Sequence, residues 1–202
     1  MEFQVVTGHQ FTQHINAIAH LRIAIFKEYP YLYDGKLADE ATYLKSYAAS
    51  KNTLLIIAKD QGKIVGAITG IPLAETDEIF RMPFEKYHFS VHSIFYLGEI
   101  LLFKEYRGKG VGYKMYKMLE DLVRKNKQYE KIAIAEVLRD ENDPRKPHNY
   151  VSVHKLWERL GFIEHPELIV QIPYKEIDSE KKVPHSLIFS FKDLIKNSES
   201  VS

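Results

Sequence analysis

The spacing of apolar and polar residues predicts helices and strands along the first half of the chain. A β-prone start over residues 3–6 is followed by apolar positions at helical spacing from residue 15 to residue 26. A second helical face covers residues 37–48. Residues 54–58 and 64–71 are apolar runs on either side of a polar, glycine-containing turn, so they predict an antiparallel hairpin.

The second half predicts a strand, a helix and another strand in succession. Residues 94–103 form a β-prone run that Gly98 and Glu99 interrupt, and residues 131–137 form the later strand. Between them, an amphipathic helix begins at Val111 and is expected to end near Lys127. Because such a succession is a crossover unit, the two strands are expected to be parallel neighbours.

The remaining elements complete a mixed sheet. A charged loop over residues 139–148 contains two prolines and precedes a shorter helix. Gly161 follows this helix, where a left-handed residue is common. Late strands are predicted at residues 168–172 and 187–191. With no linker inside them, residues 1–195 are expected to form one domain, followed by a polar tail over residues 196–202.

Composition narrows the class of protein. The 202 residues are 45% hydrophobic and 27% charged, which is typical of a soluble globular chain. The chain has no cysteine, so thiolate zinc sites and cysteine nucleophiles are excluded, and a cytoplasmic location is expected. A net charge of +1 gives no general attraction to nucleic acid or to an anionic membrane. No membrane span and no metal site are predicted.

The turn over residues 103–112 suits a bound anion. It joins the long apolar strand to the best amphipathic helix, whose first N–H groups point outward and favour negative charge. Arg107 and Lys109 add cationic charge. The spacing is not the dinucleotide fingerprint, because Tyr113 stands where the third glycine belongs, and it is not a Walker loop.

Arg107-x-x-Gly110-x-Gly112, after a strand and before a helix, resembles the acyl-CoA pyrophosphate loop of the GNAT superfamily of N-acetyltransferases. The order of elements from residue 3 to about residue 191 is also similar, as is the Gly161-Phe162 pair that ends a helix. The resemblance implies an α+β fold, with a mixed, mostly antiparallel twisted sheet flanked by helices. A splayed parallel strand pair would hold acyl-CoA.

The resemblance also implies direct transfer of an acetyl group from acetyl-CoA to a primary amine of a small molecule or peptide, and it allows a homodimer. The pantetheine amides would pair with the backbone near Leu101, Leu102 and Phe103. The pyrophosphate would reach the N–H groups of the turn, which are those of Arg107, Gly108, Lys109, Gly110, Val111 and Gly112. The alternative is a non-catalytic sensor or interaction module that binds acyl-CoA.

Acetyl transfer requires a base, because an ammonium with a pKa of about 10.4 must lose a proton near pH 7, at a cost of roughly 4 to 5 kcal/mol. Glu99 is the first candidate, since burial within an apolar strand would raise the pKa of its carboxyl group. The alternative is a Glu99 side chain that faces solvent. Glu136, near the end of the neighbouring strand, is the second candidate.

The family frequently uses a tyrosine four residues before the glycine of the Gly-Phe pair to protonate the departing thiolate. Trp157 stands there, and indole has no suitable proton, so Trp157 is interpreted as a packing residue or a wall of the site. Tyr150 is the candidate replacement, although a thiolate with a pKa of about 8.5 can also leave without help.

The resemblance places the acceptor near the loop between the first two helices. The candidate residues are Tyr29, Tyr31, Tyr33 and Asp34. Aromatic walls with one carboxylate suit a cationic amine. The alternative is that these tyrosines only pack over the edge of the sheet.

Overall fold

The computed structural model describes residues 1–194, and within them seven strands form one sheet in the order β1-β2-β3-β4-β5-β7-β6. The polar tail expected at residues 196–202 lies outside the described residues. The strands are β1 (Glu2–Thr7), β2 (Leu54–Asp60), β3 (Lys63–Pro72), β4 (Ile94–Leu102), β5 (Lys131–Val137), β6 (Ile163–Lys175) and β7 (Lys182–Asp193). The α-helices in the same residues are α1 (Ile15–Phe26), α2 (Leu37–Ala49), α3 (Glu78–Lys86), α4 (Val111–Lys125) and α5 (His154–Arg159).

The sheet separates two hydrophobic clusters. Helices α1, α2 and α3 bury their apolar side chains in one cluster, of which Ile18, Leu44 and Phe84 are fully buried members. Helices α4 and α5 bury theirs in the other, which includes Met115 and Trp157. Each amphipathic helix therefore covers one face of the sheet, as its apolar spacing predicts. Among residues 1–194, none of the helices is both long and apolar enough to cross a membrane.

The predicted parallel pair is confirmed, and it is short. Strands β4 and β5 pair over residues 94–96 against residues 131–133, after which they diverge. The remaining ladders of the sheet are antiparallel. A wedge-shaped opening therefore lies between the carboxyl-terminal parts of β4 and β5, and its two sides face the two helical layers.

A bulge in β4 sets the direction of Glu99. In the ladder with β3, Glu99 lies opposite Thr69 and Leu97 lies opposite Gly70, so Gly98 is the extra residue. A Cβ atom on Gly98 would lie 2.1 Å from the Tyr47 hydroxyl, which explains the glycine. Leu97 packs in the α4–α5 cluster, whereas Glu99 contacts side chains of α1 and α2. Without the bulge, strict alternation would put the two residues on the same face.

The structure differs from the predicted elements mainly at its periphery. Helix α3 was not predicted, because its segment contains Pro83 and several charged residues. Helix α4 ends at Lys125 rather than near Lys127. Strands β6 and β7 extend well beyond their predicted apolar centres, because backbone pairing continues into polar residues. Gly161 has the predicted left-handed conformation, with φ of 85°.

Candidate active site

The turn between β4 and α4 leaves its backbone accessible. Gly108 and Gly110 have positive φ values of 71° and 78°, which favour glycine. A Cβ atom on either glycine would meet nothing within 4 Å among the described residues. The turn thus combines open space with the amino-terminal N–H groups of α4, a 15-residue helix. These residues fit a phosphate group.

Arg107 already bridges three segments at this turn. Its Nε donates to the Leu102 carbonyl oxygen over 2.8 Å, and the N–H and carbonyl groups of Phe103 are also hydrogen-bonded within the chain, so these backbone groups expected to pair with pantetheine are engaged. Its Nη1 and Nη2 donate to the two carboxylate oxygens of Glu28, over 2.7 and 3.2 Å. Lys109 is exposed and lies 6.0 Å from the centre of the Tyr106 ring. Glu28 therefore binds the guanidinium group of Arg107, which is expected from the sequence to bind the anion.

Replacing Glu28 with glutamine is expected to strengthen acetyl-CoA binding, by up to about fivefold. Arg107 and Glu28 are each 41% exposed, and ion pairs this exposed contribute about 0 to 1 kcal/mol. The neutral amide competes less well with phosphate for Arg107. Calorimetric titration with acetyl-CoA checks this, with Glu105→Gln as a control on an exposed carboxylate of the same turn. Unchanged or weaker binding would show that Glu28 does not compete.

Glu99 is buried, with 6% of its surface exposed, so the solvent-facing alternative is wrong. Arg22 of α1 donates through Nη1 to Glu99 Oε2 and through Nε to Glu40 Oε2. The other oxygen of Glu99, Oε1, forms no hydrogen bond of normal geometry within residues 1–194, and the nearby Thr69 hydroxyl, opposite Glu99 on β3, forms none either. One cation thus neutralises two carboxylates, and one buried oxygen stays available to accept a proton.

The surroundings of Glu99 favour its protonated form. Burial raises the pKa of this carboxyl group and Glu40 adds to the rise, whereas Arg22 and the Thr69 hydroxyl oppose it. Several tyrosines lie near the carboxylate, and burial raises the pKa of Tyr43 among them to about 12. They stay neutral at physiological pH. The result is a carboxyl group better suited to general-base chemistry than an exposed glutamate.

Glu136 forms a second polar centre on the other face of the sheet. Its β5 neighbours Ile132 and Ile134 pack in the α4–α5 cluster, so strand alternation puts Glu136 on that face. His154 Nδ1, at the start of α5, lies 3.0 Å from Glu136 Oε2. Burial raises the pKa of Glu136, and His154 opposes the change. Sequence reasoning considered Glu136 but missed His154, which shows no motif. Within residues 1–194, no set of three potential metal ligands converges.

Trp157 and the candidate general acid Tyr150 lie in different surroundings. Trp157 is buried and packs edge-on against Phe162 and Tyr116, so it is a core residue. Tyr150 lies in the loop before α5, and its ring contacts the Tyr29 ring edge-on at 4.8 Å between centres. Burial raises the pKa of Tyr150. Tyr150 thus connects the loop before α5 with the predicted acceptor loop.

The predicted acceptor residues are spread along the loop between α1 and α2. Tyr31 packs against Phe26. Burial is the main cause of its raised pKa, and Glu136 and Glu99 raise this pKa further. Tyr33 packs edge-on against a tyrosine of β6, and Asp34 accepts a hydrogen bond from Lys175 over 2.7 Å. Burial and Glu40 likewise raise the pKa of Tyr33, so Tyr31 and Tyr33 lie near the group formed by Arg22, Glu40 and Glu99, whereas Asp34 attaches the loop to β6.

An arginine network holds this loop in place, and sequence reasoning missed it. Arg139 donates to the carbonyl oxygens of Pro30 and Tyr31, over 2.5 and 2.8 Å. It also pairs with the buried Glu176. Arg145 and His185 contact the same carboxylate. Burial opposes ionisation of Glu176, but hydrogen bonds from Arg145, His185 and Arg139 outweigh it and lower its pKa to about 2.

Replacing Glu176 with glutamine is expected to destabilise the protein at pH 7 about twice as much as at pH 3. A carboxyl group whose pKa is lowered by folding stabilises the protein above its unfolded pKa of 4.5, and this contribution disappears as pH falls through about 2. The shift corresponds to roughly 3 kcal/mol at neutral pH. Urea unfolding at both pH values measures it, with the exposed Glu180→Gln as the control. An equal loss at both pH values would contradict this electrostatic account.

Strands β4 and β5 form a splayed parallel pair, and an anion-binding turn follows β4. This arrangement is typical of proteins that hold a long phosphorylated cosubstrate between two strands. A model of the Acetyltransferase (GNAT) family matches residues 18–162. A search of curated proteins finds no match. Because the family model covers most of the chain, this chain belongs to the GNAT family and is an acyltransferase with acetyl-CoA as cosubstrate.

Solved structures show the same fold at low sequence identity. A ribosomal-protein-alanine N-acetyltransferase from Brucella melitensis has a TM-score of 0.60 at 15% identity, over 96% of this chain and all of that one. The yncA protein of Salmonella typhimurium, solved with its cofactor acetyl-CoA, has a TM-score of 0.56 at 11% identity, over 98% and 96%. An aminoglycoside 6′-N-acetyltransferase complexed with coenzyme A has a TM-score of 0.57 at 14% identity, over 98% and 100%.

Proposed function

We propose that this chain moves the acetyl group of acetyl-CoA directly to a primary amine of a small molecule or peptide. The observation that carries the proposal is the arrangement along β4. Buried Glu99 lies on the α1–α2 face of this strand, and the open glycine turn lies at its end. A carboxylate for the amine and a cradle for the phosphates thus flank the opening between β4 and β5.

The turn and the end of β4 would bind the cosubstrate. Lys109, the turn N–H groups and a released Arg107 would hold the pyrophosphate. The Leu102 carbonyl, freed with Arg107, and the backbone of Leu101 would orient the pantetheine arm. Acetyl-CoA supplies an activated thioester. The acceptor would approach from the α1–α2 side, because the buried Glu99 is found there.

Glu99 would take the proton that the ammonium must lose. Its Oε1 is buried and has no partner among residues 1–194, so an amine or a bridging water gains a hydrogen bond there. As the new N–C bond forms and the C–S bond breaks, the positive charge on nitrogen is relieved by proton transfer to this oxygen. Arg22 keeps the carboxylate in position.

The loop between α1 and α2 would select the acceptor. Tyr31 offers an aromatic face near buried Glu99, and Tyr29 adds a second aromatic ring beside Tyr150. Aromatic faces suit a cationic amine that is deprotonated only inside the site. The rings of Tyr33 and Tyr174, together with the Arg139 network, fix the position of this loop. We therefore expect the loop to remain rigid when the acceptor binds.

The test is thiol release from acetyl-CoA with separate pools of polyamines, amino acids, aminoglycosides and short peptides. Release above the rate without an acceptor would identify the acceptor class. The alternative is a sensor of acyl-CoA, which the loss of the usual tyrosine at Trp157 favours. It would bind acetyl-CoA in a parallel calorimetric titration and release no thiol with any pool, which would contradict the proposal.

A further inference from the structure

We propose that His154 donates the proton that the departing CoA thiolate takes up, and that Glu136 is its positioning residue. This inference rests on the proposed function, and it fills the role that Trp157 cannot perform. His154 begins α5, three residues before Trp157, so the two lie about one turn apart on the same side of the helix.

Glu136 belongs to the part of β5 that has separated from β4. The last residue of β5 that pairs with β4 is Ala133, three positions earlier. Strand alternation puts Glu136 on the α4–α5 face, whereas Glu99 contacts α1 and α2. The two polar centres thus lie on opposite sides of the opening. A base on the amine side and an acid on the thiol side is the arrangement that direct transfer needs.

Proton affinity favours His154 over the other candidates. A thiolate with a pKa of about 8.5 takes a proton downhill from an imidazolium whose reference pKa is about 6.5. Transfer from a tyrosine with a pKa of 10 or more is uphill by roughly 2 kcal/mol, and burial raises the pKa of Tyr150 further. Indole has no proton to give at these values.

The charged groups around His154 favour the protonated form of its ring. The hydrogen bond that His154 donates to Glu136 of β5 raises the pKa of His154, burial opposes the rise, and Glu158 of α5 and Glu164 of β6 add to it. While Nδ1 of His154 contacts Glu136, the other ring nitrogen, Nε2, lies 3.6 Å from Glu158 Oε1. The side chain of Glu158 is 62% exposed. Nε2 is therefore the nitrogen that can turn to the sulfur.

The proton balance is complete without a further reactant. The ammonium loses one proton to Glu99 before attack, and Glu99 passes it to solvent. The nitrogen loses a second proton to the same carboxylate as the amide forms, and Glu99 returns this proton to solvent after the turnover. The C–S bond electrons leave on sulfur, which takes the Nε2 proton of His154. Solvent reprotonates His154, so each turnover yields the amide, CoA thiol and one proton.

The first test compares His154→Gln with His165→Gln. His165 is a matched control, because its Nδ1 lies 2.9 Å from Glu167 Oε1 on strand β6. We expect His154→Gln to lower kcat by about 10- to 100-fold and to abolish the fall in rate as pH rises through the pKa of His154. Glu136→Gln should move that fall to lower pH. Equal rates and equal pH profiles for the two histidine variants would overturn the proposal.

The second test needs no turnover. The ring resonances of His154 are followed by NMR during titration with CoA and with desulfo-CoA, which lacks the sulfur atom. Contact with the thiol predicts a shift in the pKa of His154 with CoA that desulfo-CoA does not reproduce, while His165 stays unchanged. Identical responses to the two ligands would overturn the contact. The proposed function itself fails separately, if the unmodified chain releases no thiol with any amine.

Discussion

Replacing Glu99 with glutamine is expected to lower kcat/KM by about 10²- to 10⁴-fold while acetyl-CoA affinity stays within about twofold. Glutamine has nearly the same shape and can still accept the Arg22 hydrogen bond, but it cannot take a proton. In the unmodified protein the raised pKa of Glu99 predicts a rate that falls as pH drops through that pKa. This acid limb should be absent from the residual activity of the variant.

Glu40→Gln is the matched control for this experiment. Glu40 is buried, and it shares Arg22 with Glu99. Each variant removes one carboxylate partner of Arg22. Only Glu99→Gln removes the carboxylate oxygen Oε1, which forms no hydrogen bond within residues 1–194. We expect Glu40→Gln to keep the acid limb and to lose less than about tenfold in kcat/KM. Equal losses in the two variants would assign Glu99 a structural role.

Replacing Arg107 and Lys109 together with alanine is expected to weaken acetyl-CoA binding by at least about 100-fold. Charge-assisted contacts to phosphate contribute roughly 1.5 to 3 kcal/mol each, and the turn presents two cations beside the N–H groups of α4. Part of the Arg107 contribution is offset, because Glu28 must first be released. Calorimetric titration gives the affinities, and the rate at saturating acetyl-CoA should change little.

The control for the double variant removes the same charge from the other end of α4. Lys125 and Lys127 are exposed and lie at the carboxyl-terminal end of this helix. Changing both to alanine should leave acetyl-CoA affinity within about threefold, because a distant exposed charge is screened by salt. A similar loss in both double variants would mean that overall charge, rather than the turn, attracts the cosubstrate.

The central elements of the fold follow from local patterns. The helical spacing from Val111 onward and the strand over residues 131–137 predict the parallel crossover, and the structure confirms both. Helix α3 could not be predicted, because Pro83 and its charged neighbours hide a helix that tertiary packing stabilises. The bulge at Gly98 was equally hidden, since it depends on the close approach of Tyr47 from another element.

The site shows the same division between local and long-range information. The glycines and cations of the turn are adjacent in sequence, so the anion-binding geometry could be predicted. The partners of Glu99 could not, because Arg22 and Glu40 are 77 and 59 positions away in the chain and meet it only after folding. Nothing in the sequence shows that Arg107 binds Glu28, because these two residues are also distant in sequence and meet only after folding. The role proposed for His154 depends on its contact with Glu136 of β5, which is distant in sequence.

The most direct test of acetyl transfer follows an isotope-labelled acetyl group from acetyl-CoA in a single turnover with the amine pool that stimulates thiol release. Mass spectrometry of the acceptor and of the intact protein locates the label. The proposed function predicts label on the acceptor amine, none on the protein, and much slower transfer by Glu99→Gln. Label on the protein before it reaches the acceptor, or label that remains on CoA with every amine, would contradict it.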